Sequence, residues 1–265
     1  MKRALCVGIN DYPVRGADLK GCVNDARAWA ELLRDHYGFA EADITVLLDR
    51  QATKAAILAA LDDLLGGAKR GDVIVFTNSS HGTYVADEDG DESRYDEAMC
   101  PWDMKENLIV DDELRTRFAA LPPGVRLTVV SDSCFSGTVT RGPAIPTPDD
   151  RRARFVNPKL IGRREIPDVR SVARPVRADL YPESAMKEVL VSGCNDRQYS
   201  YDARFDNRYH GAMTYFALDI IRAADYRLTY NALRKQLVAR LEDEGYDQEP
   251  QLEGAAASRR RRLFS

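Results

Sequence analysis

Residues Val125 to Gly137 read VRLTVVSDSCFSG. The β-branched apolar run has the make-up of a buried parallel strand. It ends where Ser131, Asp132 and Ser133 lead into Cys134, and Gly137 supplies a turn. A second stretch of the same form lies upstream: Asp72 to Thr83, DVIVFTNSSHGT, an apolar run that gives way to polar residues and then to His81-Gly82. Open α/β sheets bind ligands at the carboxyl ends of their strands. A thiol and an imidazole at the ends of two neighbouring strands therefore make a candidate nucleophile and base, whereas either residue alone carries little meaning.

Outward from this pair the chain alternates. Ala4 to Ile9 and Ile44 to Asp49 read as two further strands. Between them Val23, Ala26, Ala30, Leu33 and Tyr37 recur at helical spacing up to Gly38, and Thr53 caps a second amphipathic helix that Gly66-Gly67 closes. Strands separated by helices imply crossover connections and hence a parallel sheet. Downstream come an acidic loop over residues 85–110, a helix opening at Asp111-Asp112-Glu113, a strand over Glu188 to Ser192, a polar loop, and helices over Ala212 to Ala224 and Tyr230 to Glu244. The expected fold is one α/β domain over residues 1–265, with a mostly parallel sheet flanked by helices on both faces. Within it, residues 141–187 hold seven of the twelve prolines and nine arginines and read as a long, exposed, flexible loop. The closing Arg259 to Arg262 run reads as solubilising.

Composition excludes several classes. A net charge of -4 from 38 basic and 42 acidic residues gives no global pull towards nucleic acid. No apolar stretch approaches the ~20 residues that span a bilayer, and the opening MKRALCVGIN is too short in apolar residues for a secretion signal. The expectation is a cytoplasmic monomer. Five cysteines without metal spacing read as reduced thiols, with Cys6, Cys100 and Cys194 buried and inert.

An imidazole beside a cysteine stabilises the thiolate or removes the proton as the thiol attacks. Gly82 lets backbone approach a substrate carbonyl, so its N–H and that of Cys134 form a candidate oxyanion hole. His81 precedes Cys134 by 53 residues, close to the spacing of about 50 found in caspases. The pattern SHG with SDSCFSG is similar to the metacaspase and bacterial orthocaspase branch of the caspase-like peptidases, where animal caspases have QACRG. VGINDY at Val7, LKGCVNDA at Leu19, YDEAMCPWD at Tyr95, VDDEL at Val110, VLVSGCNDRQYS at Val189, HGAMTY at His210 and QEPQLEG at Gln248 extend that resemblance along the chain.

The resemblance implies a caspase-like fold and a cysteine endopeptidase cleaving after Arg or Lys, with Cys134 as nucleophile and His81 as base. It places Cys22, Asp25, Ser79 and Asp132 around the basic P1 side chain, and a guanidinium entering a partly buried pocket does need carboxylate partners. Asp132, two residues before Cys134 on an extended strand, shares that residue's face. Departures are Asn78-Ser79-Ser80 before the histidine, Phe135 after the cysteine, and Thr140-Arg141 where calcium-dependent relatives place a further aspartate. The calcium candidates Asp96, Asp111 and Asp112 are thus left short of a ligand, and no cofactor is expected. The expected partners are protein substrates with exposed Arg or Lys, together with an activating protease or an inhibitor. Arg151, Arg152, Arg154, Arg163 and Arg164 are candidate points of self-processing. The alternative reading is a non-catalytic or locked regulatory protein that keeps the fold.

Overall fold

The computed structural model describes residues 1–86, 95–134, 151–163, 185–195 and 198–265. Strand β1 (Lys2–Gly8) passes through helix α1 (Cys22–Tyr37) to β2 (Ile44–Leu48), and α2 (Lys54–Leu65) crosses to β3 (Val73–Ser79). A small antiparallel sheet follows, made of β4 (Gly82–Ala86), β5 (Tyr95–Met99) and β6 (Ile109–Val110). Then α3 (Asp111–Ala119) leads into β7 (Arg126–Asp132). The remaining elements are β8 (Arg152–Ala153), β9 (Glu188–Ser192), the hairpin β10 (Tyr201–Phe205) and β11 (Arg208–Gly211), α4 (Ala212–Ala223), α5 (Tyr230–Asp243), β12 (Gln251–Glu253) and α6 (Ala256–Arg259).

The main sheet runs β12-β9-β7-β3-β1-β2. Its pairs are parallel except β12 with β9. Side-chain alternation divides it into two cores, as the period of two along a strand requires. Ala4, Cys6, Val73, Val75, Val189 and Val191 pack under α1, α4 and α5. Leu5, Val7, Ile74, Phe76, Leu127 and Val129 pack under α2 and α3 on the other face. The α/β class and helices on both faces are as expected. Thr53 caps α2 by accepting from the Ala56 amide at 3.2 Å.

Three expectations are corrected. The acidic 85–110 stretch carries β5 and β6, and the polar loop after β9 folds into the β10–β11 hairpin. Arg260 to Arg262 are exposed, while the next two residues, Leu263 and Phe264, are buried and Phe264 meets Trp29 and Tyr37 edge-on. Within the Arg-rich segment, Arg152–Ala153 pairs antiparallel with β10, Pro158–Ile161 forms a 3-10 turn, and Arg154, Val156, Pro158 and Ile161 are buried. That part is no exposed loop, because its side chains find partners in other elements. Residues 141–150 and 164–184, Arg164 included, lie outside the described residues, as do Phe135 and Thr140.

Candidate active site

Sheet register brings the two strand ends together. Ser79 on β3 pairs with Asp132 on β7, and His81 and Cys134 each follow two residues later. The amides of Gly82 and Cys134 converge on one atom, the Arg154 carbonyl oxygen, at 3.0 and 3.2 Å. His81, Gly82 and Cys134 thus surround one carbonyl.

His81 is buried and fixed from several sides. Its Nε2 lies 2.7 Å from the Ala17 carbonyl, and its backbone N–H donates to the Tyr12 hydroxyl, which in turn donates to the Cys100 carbonyl. A carbonyl only accepts, so Nε2 carries the ring proton and Nδ1 the lone pair. Among the described residues Nδ1 makes no hydrogen bond within ordinary geometry, although the Arg154 backbone lies within its electrostatic reach. Burial foremost holds the imidazole pKa down at about 3, despite the opposing bond to Ala17. The ring is neutral and its free nitrogen is a base. The Cys134 thiol donates to the Ser200 carbonyl at 3.3 Å and accepts from the Ser200 amide at 2.6 Å.

The Arg154 side chain is wholly buried in a pocket of carboxylates. Its Nη2 reaches Asp25 Oδ2 at 2.6 Å and Asp202 Oδ1 at 3.0 Å. Its Nη1 reaches the Asp132 carbonyl at 3.0 Å and Asp132 Oδ2 at 3.3 Å. Burial opposes the charge, but Cys22, Asp132, Asp25 and Asp202 outweigh it and hold the guanidinium protonated far above its ordinary range.

The carboxylates have partners of their own. Asp25 accepts from the Gly211 amide and meets His210 Nδ1 at 2.9 Å. Asp202 accepts from the Lys20 and Gly21 amides, and Asp132 from the Ser200 hydroxyl and from the amide and hydroxyl of Thr214. Burial foremost raises the Asp132 pKa, partly offset by Arg154. A Cβ at Gly211 would land on the Asp132 carboxylate and the Arg154 guanidinium, so only glycine leaves room there.

Of the residues expected around a basic side chain, Asp25 and Asp132 touch the guanidinium directly. Cys22 lies within electrostatic reach of the pocket, its thiol pushed well above its ordinary pKa, chiefly by burial. Ser79 is buried beside Asp132, and its carbonyl accepts from the Ile9 amide. Asp202 does not stand out in the sequence: its signal is faint, a lone acid between Tyr201 and Ala203 in a segment rich in polar residues. Ser200, Gly211 and Thr214 likewise carry no role that the sequence alone discloses. Cys194, expected to be inert, is half-buried, and a hydrogen bond with Cys134 leads the causes that raise its pKa.

Asp111 and Asp112 both bond Arg115. Among the described residues no group of three or more His, Cys, Asp or Glu is arranged to hold a metal ion.

The family model for the metacaspase peptidase C14 domain matches residues 2–143. The chain belongs to the metacaspase family. It is similar to Metacaspase-1 of Scheffersomyces stipitis, 34% identical over 295 aligned positions covering 95% of this chain and 70% of that one. It is also similar to Metacaspase-4 of Arabidopsis thaliana, 46% identical over 143 residues. That match covers 51% of this chain and 34% of the plant protein, so this metacaspase spans about a third of the length of that relative. Among solved structures it resembles protein GSU0716 from Geobacter sulfurreducens at a TM-score of 0.72 and 26% identity, covering 100% and 98% of the two chains. Caspase-1 from Spodoptera frugiperda, with a TM-score of 0.58, 12% identity and coverage of 96% and 86%, shares the fold. Among the described residues of this metacaspase, no helix is long and apolar enough to cross a membrane.

Proposed function

We propose that this metacaspase is a cysteine endopeptidase that cleaves proteins after arginine, and that in this state its own Arg154 segment occupies the cleft as a first substrate. The observation that carries the reading is the double grip on Arg154. Its carbonyl oxygen accepts from the Gly82 and Cys134 amides while its guanidinium fills the pocket of Asp25, Asp132 and Asp202. Donors aimed at a carbonyl oxygen are what stabilise the oxyanion of acyl transfer.

In the reaction, Cys134 Sγ attacks the carbonyl carbon of the arginine, and His81 Nδ1 takes the thiol proton. The carbonyl oxygen gains negative charge between the two amides. The C–N bond then breaks, and His81 gives its proton to the departing amine, leaving a thioester on Cys134. Water, deprotonated by His81, attacks the thioester and releases a carboxylate and the thiol. Applied to the chain itself, these steps cut between Arg154 and Phe155. The cut frees the cleft, which makes the uncut chain a zymogen.

Arg152 lies on β8 and Arg151 just before it, both outside the pocket, and Arg163 follows the 3-10 turn; the grip favours Arg154 over all three. Substrates on this reading are proteins with Arg or Lys in segments able to lie extended against β10. All five cysteines are free, which supports a reducing, cytoplasmic setting.

Intact-mass measurement of the wild type beside Cys134→Ala, with and without calcium, tests the proposal. Two fragments divided after Arg154 in the wild type, and one mass in the variant, are expected. A single equal mass in both, together with no hydrolysis of an Arg-ended peptide, refutes it and favours a locked scaffold.

A further inference from the structure

The bound strand makes a second basic contact, three residues before Arg154. We infer that this metacaspase reads two basic residues in an extended substrate, one at P1 and one at P4, and that the end of α5 with Tyr246 forms the P4 subsite. The inference rests on the reading of the Arg154 segment as a bound substrate, in which Ala153, Arg152 and Arg151 stand at P2, P3 and P4.

The strand geometry sets the frame. Arg154 donates its amide to the Ser200 carbonyl at 2.9 Å, and Ala153 and Arg152 pair with Tyr201 and Asp202. Arg151 lies just beyond this ladder, where its guanidinium carbon sits 3.9 Å from the centre of the Tyr246 ring. Its Nη1 donates to the Gly245 carbonyl at 2.9 Å and its Nη2 to the Glu244 carbonyl at 3.4 Å. Those carbonyls belong to the turn that ends α5, where unsatisfied acceptors and the negative end of the helix favour a cation. The aromatic face adds the attraction of its ring quadrupole.

Two features mark this as a built subsite. Tyr246 is held in place, since its ring packs against Tyr201, Phe205 and Phe216 at centroid distances of 6.0, 6.2 and 6.0 Å. Tyr201 is itself part of the strand that binds the segment, so the platform packs directly against the ladder. Arg152, by contrast, reaches one carbonyl, that of Gly16, at an exposed position. P3 is therefore assigned no basic preference. The substrate class is a polypeptide in which a basic residue stands three positions before the arginine at the cut.

The test compares four tetrapeptide reporters on the full chain: Arg-Ala-Ala-Arg, Ala-Ala-Ala-Arg, Glu-Ala-Ala-Arg and Arg-Ala-Ala-Ala. Arg at P4 is expected to raise kcat/KM about five- to tenfold over Ala, the size of one partly exposed cation–π contact with its hydrogen bonds. Glu at P4 is expected to fall below Ala. In Tyr246→Leu the ratio between the Arg and Ala peptides is expected to shrink towards one. Equal cleavage of the three P1-arginine peptides by the wild type overturns the P4 subsite and leaves the P1 reading standing. Failure to cleave any of them overturns the peptidase reading and the subsite with it. If Tyr246→Leu does not fold, the wild-type ratios decide.

Discussion

Each nitrogen at the tip of Arg154 has its own acceptors. Nη2 serves Asp25 and Asp202, and Nη1 serves Asp132 twice. A lysine presents one ammonium on a single stem and cannot span both groups. Arg over Lys at P1 is therefore expected by at least about tenfold in kcat/KM, since a hydrogen bond to a charged group is worth about 1.5–3 kcal/mol. A peptide pair differing at P1 measures it, and equal rates would count against the pocket as described. Asp202→Asn is the cleaner probe of the carboxylates, with an expected loss of about 10- to 100-fold against Arg peptides on the same scale. Asp132 is a poorer target because it also gathers Ser200 and Thr214, so its removal disturbs packing as well as selection. His81 carries a pH prediction. Its folded pKa, about 3, lies below the ordinary 6.5, so its neutral form is the folded form. The associated stability is present above pH 6.5 and is lost as pH falls towards 3. At ~1.4 kcal/mol per unit the loss is on the order of 4 kcal/mol. Melting temperatures from pH 7 to 4 should fall more steeply in the wild type than in His81→Gln; parallel curves would contradict the assignment.

At the scale of elements, what the sequence disclosed followed apolar content. The strands VIVFTNS and RLTVVSD and the helices α1, α2, α4 and α5 announce themselves because each buries a continuous run or a periodic face. Their ends locate His81 and Cys134. The strands YDEAM, YDARF and RYHG carry charge where a strand normally shows alternation, and in sequence they read as loops. They are strands because antiparallel pairing satisfies their backbones, and on β10 that pairing sets Asp202 against Arg154. The burial of Arg154, which the sequence offers only as one of five processing candidates, is hidden for a related reason. An arginine among many reads as solvated, and its burial depends on carboxylates from α1, β7 and β10 that only the tertiary fold assembles. The close approach of α4 to this pocket makes a further prediction. Gly211→Ala should abolish cleavage of Arg peptides, because the added methyl occupies the guanidinium's place. Unchanged kcat/KM in that variant would refute the approach.

The whole molecule is tied together through its occupied cleft. The guanidinium of Arg154 neutralises part of a buried acidic cluster, and withdrawing one partner from a buried pair costs about 3 kcal/mol or more. Arg154→Ala should therefore melt several degrees lower, and agmatine, a small guanidinium, should restore much of the difference. A variant that melts like the wild type and ignores agmatine would show that the segment does not contribute to the fold's stability. The amides that bond the three acids decide how far the cleft tolerates being emptied. Gly21 and Thr214 stand at the amino ends of α1 and α4, whose dipoles point their positive poles at Asp202 and Asp132. Part of the countercharge is thus built into the backbone and does not leave with the product. On the proposed reading, a cleft so arranged can lose one arginine and wait for the next without collapsing between turnovers.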